Sequence, residues 1–372
     1  MNGHAKNIFV GIPCLKLGGS EVATLQMVRA LIEDGHRVTV VCYYESDPVM
    51  VERYRKNGCK ILFLQEKREG LKGLFRLTRR LVKLFRSGKP DVVHVQYFAP
   101  GMIPIIAARL AGICYVFATV HAAGGNGYNW KAKLMFRISA AMTTHFFCVA
   151  ENTEKFWFGT VGGKRHSTIH NGIDVQRFAD AEPAEIPGLT GRPIIGIAGR
   201  IVKLKGHDCL FRAVKRLLPE FPDLQVLIIG GGPAETEFRK LSEAIGIADH
   251  LLWCGRVEPE VLPGYYKRMD VLAMPSHWEG FGLTAAEAMA AGIPVVASEV
   301  PGLCEVVGDA GLLFPVNDDE KLAMQLTKML AAQDHVSLYC QKGTARVQSL
   351  FSLEKQKTLW KSFYRGKVDL CQ

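Results

Sequence analysis

Glu279 and Glu287 lie in the segment Pro275–Ser298, PSHWEGFGLTAAEAMAAGIPVVAS, with Gly280, Phe281 and Gly282 following the first of them. The stretch LTAAEAMAA reads as a helix closed by Gly292 and Pro294. A glycine-rich entry into a helix leaves backbone N–H groups without acceptors, and the helix dipole adds positive potential, so phosphate is a natural ligand there. Helical side chains tilt toward the N-terminus, so Glu287, about one turn in, can reach back to the rim of such a site. Glu279 stands on its other side. Taken singly, the two acids would be a dipole-favoured helix residue and a solvated loop acid. Together with the glycines they suit a ligand with hydroxyls at both ends and phosphate in the middle, which describes a nucleotide sugar.

The stretch GRIVKLKG, Gly199 to Gly206, places Arg200 and Lys205 just after an expected strand. Arginine grips phosphate oxygens with its planar fork and lysine adds a compact charge, so the pair can stabilise a departing diphosphate. No DxD pair and no His/Cys cluster with metal-ligand spacing occurs in the sequence. Cations are therefore expected in place of a metal, and no cofactor.

Positioning these residues falls to short apolar runs that alternate with helix-like stretches, the pattern of parallel βαβ units. Strands are expected at NIFVGIP, RVTVVCYY, CKILFL, DVVHVQ, CYVFATV and HFFCVA, then at PIIGIAG, LQVLIIG, HLLWCG, DVLAMPS and IPVVASE. HNGIDVQRFADAEPAEIP, with its Asn-Gly turn signal and polar, Pro-containing composition, puts a boundary near His170 to Ile186. The expected class is α/β, with two doubly wound parallel-sheet domains and a cleft between them. Ligands of such sheets bind beyond the carboxyl ends of the strands. Gly18 and Gly19, His121, Arg200, Gly230 to Gly232, Gly255 with Arg256, and Glu279 all fall at those ends.

The 372 residues are 48% hydrophobic and 22% charged, which excludes a disordered chain or a disulfide-stapled mini-protein. The ten cysteines form no C-x-x-C pair and are expected to be buried thiols. MNGHAKNIFVGIP carries no long apolar leader, so a reducing cytoplasm is expected. Met102 to Val120 resembles a membrane span, but Pro104, Arg109 and Gly112 divide it into a helix followed by a strand. Residues 1–185 hold 25 basic and 15 acidic side chains, and residues 186–372 hold 21 of each. The whole excess thus belongs to the first half, and residues 53–89 alone carry 13 basic and 2 acidic side chains.

These motifs resemble the retaining glycosyltransferases of the two-Rossmann (GT-B) type, specifically family 4, whose ExxxxxxxE is matched by Glu279 and Glu287. Also similar are LGGSE at 17–21, GHRVTVV at 35–41, DVVHV at 91–95, TVH at 119–121, NGIDVQRF at 171–178, GRIVKLKG, and IIGGGP at 228–233. The resemblance implies an acceptor-binding Rossmann-like domain over 1–172 and a nucleotide-sugar-binding one over 173–350. Residues 351–372 would be a helix crossing back to the first domain. It implies that Arg200 and Lys205 bind the donor diphosphate and that Glu287 binds the ribose hydroxyls. Glu279 and the amides of Gly280, Phe281 and Gly282 would hold the transferred sugar, with Leu283 and Thr284 offering amides to phosphate. Gly19 would let the first loop approach the diphosphate, His121 would contact the sugar near the reacting carbon, and Arg256 would present backbone groups to the base. His121, Arg200, Lys205 and Glu279 form the implied catalytic set, without a metal, and a UDP-sugar is expected ahead of a GDP-sugar.

The chain departs from the family in three places. PGLCE at 301–305 lacks the second glycine and the proline of GGxPE, which leaves Glu305 outside the assigned set. The family's HxH is His94, Val95, Gln96, and neither residue is assigned. Gly231 replaces the usual acid of IIGGGP.

Within GLKGLFRLTRRLVKLFRSG, Leu71, Leu74, Phe75, Leu81, Val82 and Phe85 are expected to face the protein's own sheet. Lys72, Arg76, Arg79, Arg80, Lys83 and Arg86 would face solvent, with Leu77 and Leu84 on the flank. The charge of residues 53–89 points to peripheral attachment at an anionic cytoplasmic leaflet of the cell membrane, Leu77 and Leu84 dipping into the interface. A lipid-linked saccharide acceptor and a role in cell-surface glycan synthesis follow. Nucleic acid is not an expected partner, because stacking aromatics are not interleaved with the cations. Two other readings stand beside the transferase: another chemistry on two Rossmann domains, such as a nucleotide-sugar epimerase or a phosphorylase, and a non-catalytic binding protein.

Overall fold

The computed structural model describes residues 5–16, 18–97, 101–122, 130–331 and 333–368. Leu17, Cys371 and most of the glycine-rich stretch AAGGNGYNW at 122–130 lie outside them. The elements run β1 (Asn7–Ile12), α1 (Gly19–Glu33), β2 (Arg37–Cys42), α2 (Pro48–Lys56), β3 (Lys60–Phe63), α3 (Gly70–Gly88), β4 (Val92–Tyr97), α4 (Met102–Leu110), β5 (Tyr115–Val120), α5 (Trp130–Met142), β6 (His145–Cys148), α6 (Glu151–Phe158) and β7 (His166–Thr168). They continue as α7 (Val175–Ala179), β8 (Ile194–Ala198), α8 (His207–Leu217), β9 (Gln225–Ile229), α9 (Glu235–Ala244), β10 (Leu251–Gly255), α10 (Leu262–Tyr266), β11 (Val271–Met274), α11 (Leu283–Ala290), β12 (Val295–Ser298), α12 (Pro301–Val307), β13 (Leu312–Phe314), α13 (Asp319–Ala331), α14 (Gln333–Leu350) and α15 (Leu353–Val368). Two compact units result, Met1–Gly172 with Leu353–Gln372, and Ile173–Ser352.

The first unit is a seven-stranded parallel sheet in the order β3-β2-β1-β4-β5-β6-β7. Its strands are apolar on both faces, as a parallel sheet covered twice by helices requires. One face packs on Met27, Val28 and Leu31 of α1, Met50 and Tyr54 of α2, and Trp360 and Tyr364 of α15. The other packs on Leu77, Leu81 and Phe85 of α3, Ile105 of α4 and Phe136 of α5. The second unit is a six-stranded parallel sheet in the order β10-β9-β8-β11-β12-β13. Residues 102–120 are α4 followed by β5, and among the described residues no helix is long and apolar enough to cross a membrane.

Three expectations are corrected. Strands β7 and β13 were not anticipated, because three residues are too few to show an alternation. Helix α3 is rotated from its expected setting: Gly73, Leu77, Leu81 and Phe85, four apart, are buried, whereas Leu71 and Phe75 are 85% and 74% exposed. Gly73 fixes that rotation, since a Cβ there would meet Lys67 O at 2.8 Å, so this line of the helix lies against the preceding chain. Leu77 therefore belongs to the core, and Leu84 is half-buried against it. Not every thiol is buried either. Cys42, Cys59, Cys148 and Cys209 are, whereas Cys114, in the turn between α4 and β5, is exposed and Cys14, Cys254, Cys304 and Cys340 are half-exposed.

Candidate active site

In the second unit the strand order reverses between β8 and β11, and the loops leaving these two strands are clasped together. His277 N–H donates to Leu204 O at 2.8 Å. Gly206, at φ 67°, closes the turn after Lys205, and a Cβ there would meet Pro275 O at 2.0 Å. Only glycine permits this backbone-to-backbone approach. The approach carries Lys205 to Glu279, 74 residues away in sequence, and the ammonium and Glu279 Oε1 form an ion pair. Ser276 Oγ adds a long hydrogen bond to the same carboxylate oxygen at 3.4 Å.

Glu279 leads directly into Gly280, Phe281 and Gly282. Gly282, at φ 107°, is the N-cap of α11, and its carbonyl accepts from the amides of Ala285 and Ala286. The amides of Leu283 and Thr284 precede the first intrahelical bond and have no acceptor within the helix. Gly302 at the start of α12 packs on this segment, where a Cβ would meet Glu279 O at 2.6 Å and Phe281 N at 2.9 Å. The single glycine of PGLCE thus keeps a close-approach role.

Glu287, one turn into α11, accepts a hydrogen bond from Tyr266 Oη of α10 at 2.7 Å. Burial pushes its carboxyl up to about 7, against the Tyr266 hydrogen bond and the Arg177 charge, both of which pull it down. Tyr266 is fully buried, and Phe178 of α7 stands edge-on to its ring at 5.8 Å.

On the other side of β8, the strand ends are laced by glycines. Gly199 N–H donates to Ile229 O at 2.9 Å, and Gly230 N–H to Gly255 O at 2.7 Å. A Cβ on Gly230 would meet Gly199 O at 1.9 Å, which holds the β8 and β9 loops in backbone contact. Arg200 is exposed just beyond, and the Arg256 side chain lies over Gly231, with Nε 3.7 Å from where a Cβ would stand. Arg200, Lys205, Arg256, Glu279 to Thr284 and Glu287 thus gather at one end of one sheet.

In the first unit Gly19 opens α1 just beyond β1, and His121 follows β5 directly. His121 Nε2 is 2.7 Å from Gln96 Oε1 on β4, and burial pulls the imidazole down to about 4, so it is neutral at ordinary pH. His94, two residues earlier on the same face of β4, is a core residue. Its ring nitrogens meet Tyr364 Oη and Thr119 Oγ1, each at 2.7 Å, and burial holds it near 3. Sequence reasoning left Gln96 unassigned and missed Tyr266 and Gly302. The i, i+2 spacing of His94 and Gln96 on a strand was the one signal available for the first of these.

A model of Glycosyltransferase Family 4 matches residues 17–177, and a model of Glycosyl transferases group 1 matches residues 180–344. The solved structure of Anabaena Alr3699/HepE in complex with UDP and glucose superposes over 97% of this chain and 100% of that one, with a TM-score of 0.81 at 15% identity. The chain is a GT-B glycosyltransferase of family 4. This glycosyltransferase is 28% identical over 345 residues to the phosphatidyl-myo-inositol mannosyltransferase of Mycolicibacterium smegmatis, covering 89% of this chain and 86% of that one. It is also 28% identical over 267 residues to the GDP-mannose-dependent alpha-(1-6)-phosphatidylinositol monomannoside mannosyltransferase of the same organism, covering 66% and 69%. The readings as an epimerase or as a non-catalytic binding protein are not favoured by these likenesses.

Proposed function

We propose that this glycosyltransferase moves a hexose from a nucleoside-diphosphate sugar to a lipid-linked saccharide, with retention at the anomeric carbon. The observation that carries the donor reading is the Lys205–Glu279 ion pair beside the glycine-capped start of α11. It sets an ammonium, a carboxylate and the first amides of α11 together at the strand-order reversal.

In this reading Arg200 and Lys205 bind the diphosphate, Leu283 and Thr284 offer amides to it, and Glu287 accepts from the ribose hydroxyls. Glu279 and the amides of Gly280, Phe281 and Gly282 hold the sugar, while Arg256 presents backbone groups to the base. Gly19 lets the α1 start approach the diphosphate, and His121 contacts the sugar as a neutral imidazole. Glu279 holds Lys205 in place before a donor arrives, so the ammonium is already oriented when phosphate enters. Departing phosphate then accepts the acceptor's proton on the face the acceptor attacks, while Arg200, Lys205 and the α11 start stabilise the new charge without a metal. A sugar-modified enzyme nucleophile trapped by mass spectrometry contradicts this step.

Peripheral attachment to an anionic membrane surface through residues 53–89 completes the proposal, with the cytoplasmic leaflet as its location. Glu66 is buried and takes Arg76 at 2.7 Å and Arg80 at 2.6 Å, and Arg76 also meets Glu69 at 3.2 Å. Lys72, Arg79 and Lys83 have no ion pair among the described residues and carry the attachment, while Leu77, which is buried, and Leu84, which is half-buried, do not dip into the interface. Screening UDP-, GDP- and ADP-hexoses for thermal stabilisation tests the donor: a ligand at about 100 times its Kd stabilises by about 2.7 kcal/mol. Stabilisation by none of them defeats the reading.

A further inference from the structure

Helix α5 carries an inverted pattern. Its inward residues are Phe136 and Ser139, and the line opposite them, which solvent-facing helices fill with polar side chains, is Trp130, Leu134 and Ile138, four apart and all exposed. Trp130 is 69% exposed, and exposed Met135 flanks the line. On neighbouring α6, Phe156 adds a further exposed ring, with Lys133 Nζ 5.3 Å from its centroid. A soluble surface seldom gathers five large apolar side chains in this way.

The charge around them has one sign. Lys131, Lys133 and Arg137 edge the apolar line, and no acidic residue occurs in the sequence between Asp91 and Glu151. Helix α4 packs between α3 and α5 on the same face of the sheet, so this surface continues the layer that carries Leu71, Phe75, Lys72, Arg79 and Lys83. Apolar side chains ringed by cations, with an aromatic at the end of the line, fit the boundary between headgroups and acyl chains of an anionic bilayer.

We propose that the α5 face, Trp130, Leu134 and Ile138 with Lys131, Lys133 and Arg137, is the insertion surface by which this enzyme enters an anionic lipid leaflet. This rests on the peripheral attachment proposed above and deepens it: α3 supplies adsorption by charge, and α5 supplies penetration. The acceptor's lipid portion is then presented to the enzyme from the layer in which α5 is seated.

The test uses the full chain with vesicles of phosphatidylcholine alone and of phosphatidylcholine mixed with phosphatidylglycerol. Wild type is expected to bind the mixed vesicles, with a part of the binding that survives high salt. Leu134→Ser with Ile138→Ser should lower partitioning about tenfold and remove the salt-resistant part, leaving the circular dichroism spectrum and nucleotide-sugar hydrolysis unchanged. Brominated acyl chains should quench wild-type fluorescence more than that of Trp130→Phe. Replacing Arg79 and Lys83 by Ala should instead weaken the salt-sensitive part alone. Wild-type partitioning by the serine variant, or equal quenching of Trp130→Phe, overturns the α5 inference while leaving charge-borne attachment by α3 intact. Failure of wild type to bind either vesicle overturns both. A wild-type dimer in sedimentation velocity that the serine variant loses would assign the face to a second copy of the chain and overturn the lipid assignment.

Discussion

Tyr266 Oη donates to Glu287 Oε2 at 2.7 Å, and this contact between α10 and α11 favours the ionised form of a carboxyl that burial pushes up to about 7. Its carboxyl titrates near 7 when folded and near 4.5 when not, so the folded state keeps an extra proton between those values. Stability tied to this group is complete below the unfolded value and is lost as pH rises through the folded one. Glu287→Gln should therefore stabilise the free protein by about 1–3 kcal/mol at pH 8 and by almost nothing at pH 4. Denaturant titrations at the two pH values check this.

The same group makes donor binding pH-dependent. Ribose hydroxyls are better served by the ionised carboxylate, so wild-type affinity should rise from about pH 6 to about pH 8 and level off above. Tyr266→Phe should push the titration higher and weaken binding at pH 7 by about tenfold, the worth of one hydrogen bond to a charged group. Glu287→Gln should show a flat profile. Calorimetry with the nucleoside diphosphate at several pH values reads all three.

Acid should strike the first unit before the second. His94 is held near 3 and His121 near 4 by burial, both below the ordinary 6.5, so stability tied to them is present above that value and is lost as pH falls through the folded values. In the second unit His207, held near 4, acts in the same sense, but Glu287 acts in the opposite one and largely cancels it. Near pH 5.5 the first unit should lose about 2–3 kcal/mol per pH unit and the second close to none. Hydrogen exchange of β4 and β9 amides at pH 7 and pH 5, corrected for intrinsic rates, distinguishes the two units.

Three buried polar atoms on residues that line the cavity behind His121, Gln96 Nε2, Gln356 Oε1 and Trp360 Nε1, have no hydrogen-bond partner among the described residues. Two donors and one acceptor are what a single water satisfies, accepting twice and donating once. A high-resolution crystal structure should show that water. Gln96→Leu, which also strips His121 Nε2 of its acceptor, should lower kcat by about tenfold with little change in donor Kd, whereas Gln356→Leu should cost stability more than rate.

How far these features could be read beforehand follows the range of the interaction. Eleven strands and the glycine-rich start of α11 were legible because each is written in consecutive residues. Gly206 and Gly302 looked like ordinary glycines until their contacts with Pro275 and with Glu279 to Phe281 gave them a reason. Tyr266 has no local signal, since its partner lies 21 residues on and meets it only when α10 and α11 pack. The rotation of α3 was misjudged because Leu71 and Phe75 are as apolar as Leu77 and Leu81. The deciding residue was Gly73, which a hydrophobic pattern does not count.

Gly302→Ala should test the donor loop without touching a charged group. Its Cβ would displace the backbone from Glu279 to Phe281, so donor KM should rise by about tenfold or more at a stability cost of about 1–3 kcal/mol. Kinetics together with thermal melts of the free protein separate the two effects.

Release of nucleoside diphosphate from UDP- and GDP-hexoses by the full chain tests the central claim most directly, comparing wild type with Lys205→Ala and Glu287→Ala. Wild type should turn over at least one of the donors, and each variant should melt as a folded protein yet release diphosphate about 100-fold more slowly. Release at the wild-type rate by both variants, or a folded wild type that neither binds nor cleaves any of these donors, contradicts the assignment of this pocket to the sugar donor.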